Sequence, residues 1–300
     1  MSDVTASVAS ILPTIDTLRS ALDASDYLAD EGMASALFCA VRLPQPLLLE
    51  GEAGVGKTEA AKAISTVLQT PLIRLQCYEG IDASEALYEW NYPRQLLAIR
   101  MAEATGGQRS EADLFGPDFL IARPLLQAIR HPGPRPAVLL IDEIDRADDE
   151  FEAFLFELLA ESSVTIPELG TQRALHPPIV VLTSNRTRDL HDALKRRCLY
   201  HWIDYPDLAR ATAIIRRRVP ASTTALAAQV AAAVGRLRTL DIQKPPGIAE
   251  AINWTLALDL LGIAALDGVA AATTLGSVLK YRDDSDVARE RGLGWVAAGG

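Results

Sequence analysis

One stretch constrains the fold of this chain more than any other: Gly51-Glu52-Ala53-Gly54-Val55-Gly56-Lys57-Thr58. It satisfies the pattern G-x-x-x-x-G-K-[S/T]. With 19 glycines, five lysines and 33 serines plus threonines in 300 residues, chance supplies about 0.002 such matches. Its setting is also the required one. Leu47-Leu48-Leu49 precedes it and reads as a short buried strand. A helical pattern follows, with Ala60, Ala61, Ile64 and Leu68 on one face. Glycines let the backbone turn its N–H groups inward around phosphate oxygens, and the start of the next helix adds a favourable dipole. In such a loop Lys57 reaches the β- and γ-phosphates of a nucleotide and Thr58 holds Mg²⁺. Only five of the 29 basic residues are lysines, which makes a lysine at this position more telling.

A second strand, Val138-Leu139-Leu140-Ile141, ends in Asp142-Glu143. Ligands of open α/β sheets bind at that end of the strands. The pair suits a carboxylate in the Mg²⁺ shell, Asp142, and one that polarises the attacking water, Glu143. A third apolar run, Ile179 to Leu182, ends in Thr183-Ser184-Asn185, whose amide can orient a water beside the γ-phosphate. Eight residues on comes Ala193-Leu194-Lys195-Arg196-Arg197-Cys198. Three cations together in a chain of net charge −10 call for a reason. They fit an arginine finger placed in a neighbouring subunit's nucleotide site, either Arg196 or Arg197. The competing reading is a solvated helix end favoured by the dipole. Arg216-Arg217-Arg218 reads as a solvated helix face.

Unbroken apolar strands alternating with helices predict a parallel sheet covered on both faces. Residues 1–45 read as helical, stopped by Pro44 and Pro46. Further strands are expected at 72–77 and 179–182, helices at 123–130 and 149–161, and a hairpin at 164–175. Residues 79–120 read as irregular, with the aromatics Tyr88, Trp90 and Tyr92. After Pro206 the strands stop. The expected organisation is an N-terminal helical extension (1–24), an α/β nucleotide-binding domain (25–205) and a small all-α lid (206–300).

Composition removes several alternatives. Half the residues are hydrophobic (49%) and 23% are charged, so the chain is globular rather than disordered. The acidic balance argues against a nucleic-acid-gripping surface. Three separated cysteines and four scattered histidines suggest neither a disulfide scaffold nor a metal cage. The N-terminus lacks the pattern of a signal peptide, and no apolar run is long enough to span a membrane. The expected location is the cytoplasm.

In this order, the phosphate loop (Walker A), the Asp-Glu pair (Walker B), the sensor-like Asn, the Arg-Arg-Cys segment and the helical lid resemble an AAA+ ATPase: a P-loop NTPase α/β core followed by a lid. The stretches Leu75–Trp90, Asp145-Arg146-Ala147 and Leu194–Leu199 resemble the MoxR branch. LLLEGEAGVGKTE, EALYEWNY, KPPGIAEAINW and TLGSVLKYRDD are similar to CoxD-type accessory ATPases of carbon monoxide dehydrogenase. The resemblance covers roughly residues 25–285. It implies ATP and Mg²⁺ as ligands and a ring of copies of the chain, a hexamer. It implies a von Willebrand A-domain partner, and maturation of a client metalloenzyme such as a molybdenum hydroxylase, at a Mo/Cu site. It also implies an insert near Tyr88, Trp90 and Tyr92, either an exposed aromatic loop for gripping a client or core.

One departure stands out. Relatives open a lid helix with a sensor arginine. Here the stretch reads Lys244-Pro-Pro-Gly-Ile248, with Ile248 at the arginine's position and Lys244 as a stand-in, less directional toward phosphate than a guanidinium fork. Two other functions compete with maturation: a nucleic-acid remodeller of the same fold, and a nucleotide-dependent switch with little turnover.

Overall fold

The structure, a computed structural model, describes residues 11–43 and 45–297. Residues 1–10 of the expected N-terminal extension, and Pro44, lie outside them. The apolar runs become the centre of a five-stranded sheet with order β2-β5-β8-β1-β9. Its strands are β1 (Leu47–Gly51), β2 (Leu72–Gln76), β5 (Val138–Asp142), β8 (Ile179–Ser184) and β9 (Leu199–Ile203). β1 pairs with β8, β8 with β5 and β5 with β2, all parallel. Every residue of β1, β5 and β8 is buried, as a strand covered on both faces requires. The expected class therefore holds: a parallel sheet flanked by helices, with a helical C-terminal region.

The chain divides into two compact units. One takes residues up to Ala21, Glu31–Glu50 and Ala61–His201. The other takes Leu22–Asp30, Gly51–Ala60 and the chain from Trp202 onward. Each has its own core. In the first, Leu48, Leu139, Ile141 and Leu182 pack with Leu125, Leu126, Phe151 and Leu155. In the second, Ile215, Val230, Val234, Trp254 and Leu258 pack with Leu275 and Val296. The Trp254 indole N–H donates to Thr274 Oγ1 at 2.6 Å, which satisfies the one polar atom of the largest fully buried side chain.

Two expectations need correction, and one strand went unread. Residues 1–45 are not one helical stretch: helices Ile15–Ala24 and Glu31–Arg42 are separated at 25–30, where Asp26 takes the left-handed conformation at φ 61°. Residues 79–120 are not irregular. β3 (Tyr88–Trp90) pairs antiparallel with β4 (Leu120–Ala122), and a helix runs over Tyr92–Ala104. That helix starts with a recognisable signal, the Asn91 side chain accepting from the Arg94 N–H at 3.0 Å with Pro93 in the first turn. Finally β9, Leu-Tyr-His-Trp-Ile, joins the sheet although nothing in its alternation marks it out. The 163–175 region is a hairpin as expected, β6 (Ser163–Ile166) with β7 (Gly170–Arg173).

Candidate functional site

β1 leads directly into residues 51–56, and the helix Lys57–Leu68 begins where they end. Gly54 and Gly56 sit at φ 77° and 101°, a region that side chains with a Cβ avoid; the spacing of the motif is thus a backbone requirement. Lys57 is buried. Its ammonium donates to the carbonyls of Gly51 and Glu52, both at 2.7 Å, which keeps the charge at the loop. Thr58 lies in the first turn of the helix.

The same unit brings the helix Ile248–Leu260 against this loop. The Ala249 N–H donates to the Gly54 carbonyl at 3.2 Å. A Cβ on Gly247 would fall 2.7 Å from the Ala53 carbonyl oxygen and 2.9 Å from Gly54, so glycine is needed here for close approach of two backbones. Ile248, expected from the resemblance at a sensor arginine's position, belongs to the core of this unit. Lys244 is exposed, and its backbone N–H is tied to the buried Asp284 carboxylate at 3.2 Å.

In the other unit the ends of β2, β5 and β8 bring six polar side chains together. Asp142, buried, closes β5. Its Oδ1 accepts from the Thr183 hydroxyl, and its Oδ2 accepts from Arg74 Nε at 3.0 Å and Nη2 at 2.6 Å. Glu143 follows in the left-handed conformation, φ 56° and ψ 50°. A non-glycine residue there stores of order 1–3 kcal/mol of strain, a cost that clusters at functional sites. The Glu143 N–H donates to Thr183 Oγ1 at 2.9 Å. Its carboxylate accepts from Gln76 Nε2 at 3.0 Å, from Arg146 at 3.4 Å and from Asn185 Nδ2 at 3.5 Å. The Asp142-Glu143 pair and Asn185, picked from two separate motifs, thus meet. Thr183, Arg74 and Gln76 were missed by sequence reasoning, although two polar residues at i and i+2 in an otherwise apolar strand mark one face of β2.

Cys77 follows this cluster on β2 and donates its N–H to the Asp142 carbonyl at 2.9 Å. Burial first, then the charges of Asp142, Asp145 and Glu143, push its thiol up to about 12. It stays a neutral thiol beside the acids.

The loop after Asn185 is bolted down. Thr187 donates its N–H (2.8 Å) and hydroxyl (2.7 Å) to Asp145. Arg188 reaches the Ala147 carbonyl and the fully buried Glu152, which also accepts from the His191 N–H at 3.0 Å. Beyond this anchor, Arg196 and Arg197 are both exposed, and Arg197 stacks 4.7 Å over the Phe156 ring. The cations of Arg216-Arg217-Arg218 are taken up locally: Arg217 pairs with Asp23 at 3.0 Å and Asp26 at 3.3 Å, Arg218 with Glu59 at 3.6 Å. The aromatic trio divides. Trp90 is core, edge-on to Phe115 at 5.1 Å, Tyr88 is half-buried and Tyr92 is 63% exposed.

The oxygen donors assigned from sequence, the Thr58 hydroxyl in one unit and the Asp142 carboxylate in the other, are each of the kind Mg²⁺ takes. No helix among the described residues is long and apolar enough to cross a membrane.

A glycine loop joining a buried parallel strand to a helix, with acids at the end of another strand of the same sheet, defines a P-loop α/β protein. The profile of the AAA domain (dynein-related subfamily) matches residues 46–198, just over half the chain, and the chain belongs to that family. It is 26% identical over 216 residues to the uncharacterized protein SH1500 of Staphylococcus haemolyticus (strain JCSC1435), covering 70% of this chain and 73% of that one. Among solved structures it is similar to two mutant forms of Thermotoga maritima RuvB, each at 17% identity. The TM-scores are 0.47 and 0.45, over 90% and 87% of this chain and 72% and 68% of those chains.

Proposed function

We propose that this chain is an ATP-hydrolysing, MoxR-type AAA+ protein that remodels or matures a client protein. The observation that carries the hydrolytic reading is the Asp142–Glu143–Thr183–Asn185 constellation. One acid is held by two strands and a cation, and the next acid is turned out of the strand beside an amide. In this reading residues 51–58 cradle the phosphates, Lys57 neutralises them, and Glu143 takes the proton of a water oriented by Asn185. Thr58 and Asp142 would each offer an oxygen to Mg²⁺, which when bound would supply positive charge against the phosphates. Residues 206–300 serve as the lid. In place of a sensor arginine, the Gly247–Gly54 backbone approach ties lid helix to loop; Lys244 remains the nearest cation in sequence for that role.

The finer reading follows the sequence resemblance. The active form is a ring, a hexamer, working with a von Willebrand A-domain protein on a metalloenzyme such as a molybdenum hydroxylase, the Mo/Cu site of carbon monoxide dehydrogenase being the specific case. Tyr92, exposed at the start of the helix Tyr92–Ala104, with Leu96, Leu97 and Met101 also exposed along it, is the available apolar surface for gripping a client. Affinity capture with the Glu143→Gln variant and ATP, followed by mass spectrometry, tests this. Recovery of molybdoenzyme subunits supports the reading, and recovery of nucleic acid with a steep salt dependence overturns it.

Two variants test the nucleotide site. Lys57→Ala removes the buried ammonium facing the phosphates, so ATP binding followed by fluorescence titration is expected to fall below detection; wild-type affinity would place the site elsewhere. Gly247→Ala forces a methyl onto the Ala53 and Gly54 backbones. Overpacking of this kind costs about 1–3 kcal/mol, so ATP affinity is expected to drop roughly 5- to 100-fold at 1.4 kcal/mol per decade, with helix content by circular dichroism unchanged.

A further inference from the structure

Arg74 has no chemical step in the mechanism above, yet it donates twice to the acid that mechanism assigns to the metal. Two nitrogens of its guanidinium, Nε at 3.0 Å and Nη2 at 2.6 Å, close on a single oxygen, Oδ2 of Asp142. The other oxygen accepts from the Thr183 hydroxyl. The partners differ in exposure: the Asp142 side chain is 5% exposed and that of Arg74 is 51%. The carboxylate is therefore desolvated, while the cation reaches it from the solvent side. A surface ion pair of two flexible chains contributes little. Here one partner is buried, and an unpaired buried carboxylate is costly.

We propose that Arg74 is the resident counter-ion of Asp142, a positioning residue that neutralises the acid until a divalent cation arrives with the nucleotide and that has to give way to it. The inference rests on the reading of Asp142 as the cation's carboxylate. A guanidinium and Mg²⁺ would compete for the same carboxylate, and like charges repel. Loading of the cation is therefore opposed by the strength of the Arg74 pair. The device reaches one residue further. Arg74 Nη2 also donates to Gln76 Oε1, and the Gln76 amide donates to Glu143 Oε2 at 3.0 Å. Withdrawal of Arg74 from Asp142 thereby disturbs the partner that holds Glu143, so cation loading and release of Glu143 are linked through one face of β2.

The test is a Mg²⁺ titration of the full-length protein with a fluorescent ATP analogue, read as anisotropy, with a parallel measurement in EDTA. Replacing one charge-assisted partner of a buried carboxylate alters such an equilibrium by about three- to tenfold. Arg74→Gln is expected to lower the half-saturating Mg²⁺ concentration by that factor and to leave the EDTA affinity within about twofold of wild type. Arg74→Lys keeps the charge but loses the two-pronged grip, and is expected to fall between the two. A purely structural role for Arg74 would change affinity equally with and without Mg²⁺ and leave the midpoint in place. A midpoint at or above that of wild type in Arg74→Gln overturns the proposal. If that variant does not fold, the Arg74→Lys midpoint decides by the same criterion. A wild-type protein that binds no nucleotide at any Mg²⁺ concentration overturns the nucleotide-site reading itself, and this proposal with it. Binding with an unshifted midpoint overturns this proposal alone.

Discussion

Glu143→Gln is expected to bind ATP as the wild type does and to hydrolyse it about 10²- to 10⁴-fold more slowly, the contribution typical of a positioned general base. The substitution is close to isosteric. A glutamine at this position keeps an oxygen to accept from Gln76 and leaves the backbone N–H on Thr183 Oγ1, so the left-handed turn at φ 56° is retained. What disappears is the negative charge and the basicity. Phosphate release under saturating ATP, with nucleotide retention through a desalting column, separates the two effects. Slow release with full retention is the expected result. Turnover at the wild-type rate removes Glu143 from the mechanism, and loss of retention means that the residue serves binding instead.

The strained backbone explains why this acid, of the several in Asp142-Glu-Ile-Asp-Arg, is the candidate base. An extended Glu143 would continue β5. The left-handed conformation instead ends the strand at Asp142 and brings the Glu143 carboxylate beside Asn185 and Gln76. The sequence pattern announced that acids end the strand, but not which way each would turn. That depends on Thr183, whose hydroxyl serves both residues and whose position follows from the parallel register of β5 and β8, Ile141 beside Leu182.

This marks what was legible in the sequence. The phosphate loop, β1, β5 and β8 were readable because strands buried on both faces are unbroken apolar runs, and because a phosphate loop needs glycine at fixed places. The helix Asp149–Glu161 was readable from its i, i+3, i+4 periodicity. The helix Tyr92–Ala104 was not, because it exposes Tyr92, Leu96, Leu97 and Met101 and so carries no inward apolar stripe of the usual kind; only its Asn91 cap and Pro93 betrayed it. β9 was missed since Tyr200, 54% exposed, and His201 break the expected apolar run. Arg74, Gln76 and Thr183 were missed for a different reason. Each is placed by cross-strand neighbours far away in the chain, Gln76 beside Asp142 for example, and no local pattern encodes that register. Ile248 illustrates the converse. Its apolar character at a position where the resemblance expects a cation signalled a change, and its burial in the core of the helical unit accounts for it.

Loss of the arginine finger is expected to match or exceed the effect at Glu143, since an arginine stabilising the transition-state charge is worth about 10³–10⁵ in rate. Arg196 and Arg197 are both exposed, and the chain ahead of them is anchored by the Asp145–Thr187 and Glu152–Arg188 contacts. Arg197 rests on the Phe156 ring of its own chain, a contact of the cation–π kind worth about 0.5–1 kcal/mol at an exposed site. That is small against the gain from a nucleotide's phosphates, so the stacking disqualifies neither residue. Each alanine variant is therefore measured, and the finger is the one that binds ATP normally and hydrolyses it poorly. Mixing then decides whether it acts across a subunit boundary. A Lys57→Ala subunit has a dead phosphate loop and an intact finger; the finger variant has the reverse. Alone, each is nearly inactive. In a mixed ring some interfaces pair an intact loop with a neighbour's intact finger, and activity is expected to return in part, rising and falling with the mixing ratio. A finger acting on its own chain's nucleotide permits no rescue at any ratio, because every subunit then contains one defect. Mixed rings with proven co-assembly but no activity above the sum of the two parents would move the finger's action into its own chain, and with it the reason for expecting hydrolysis to depend on assembly.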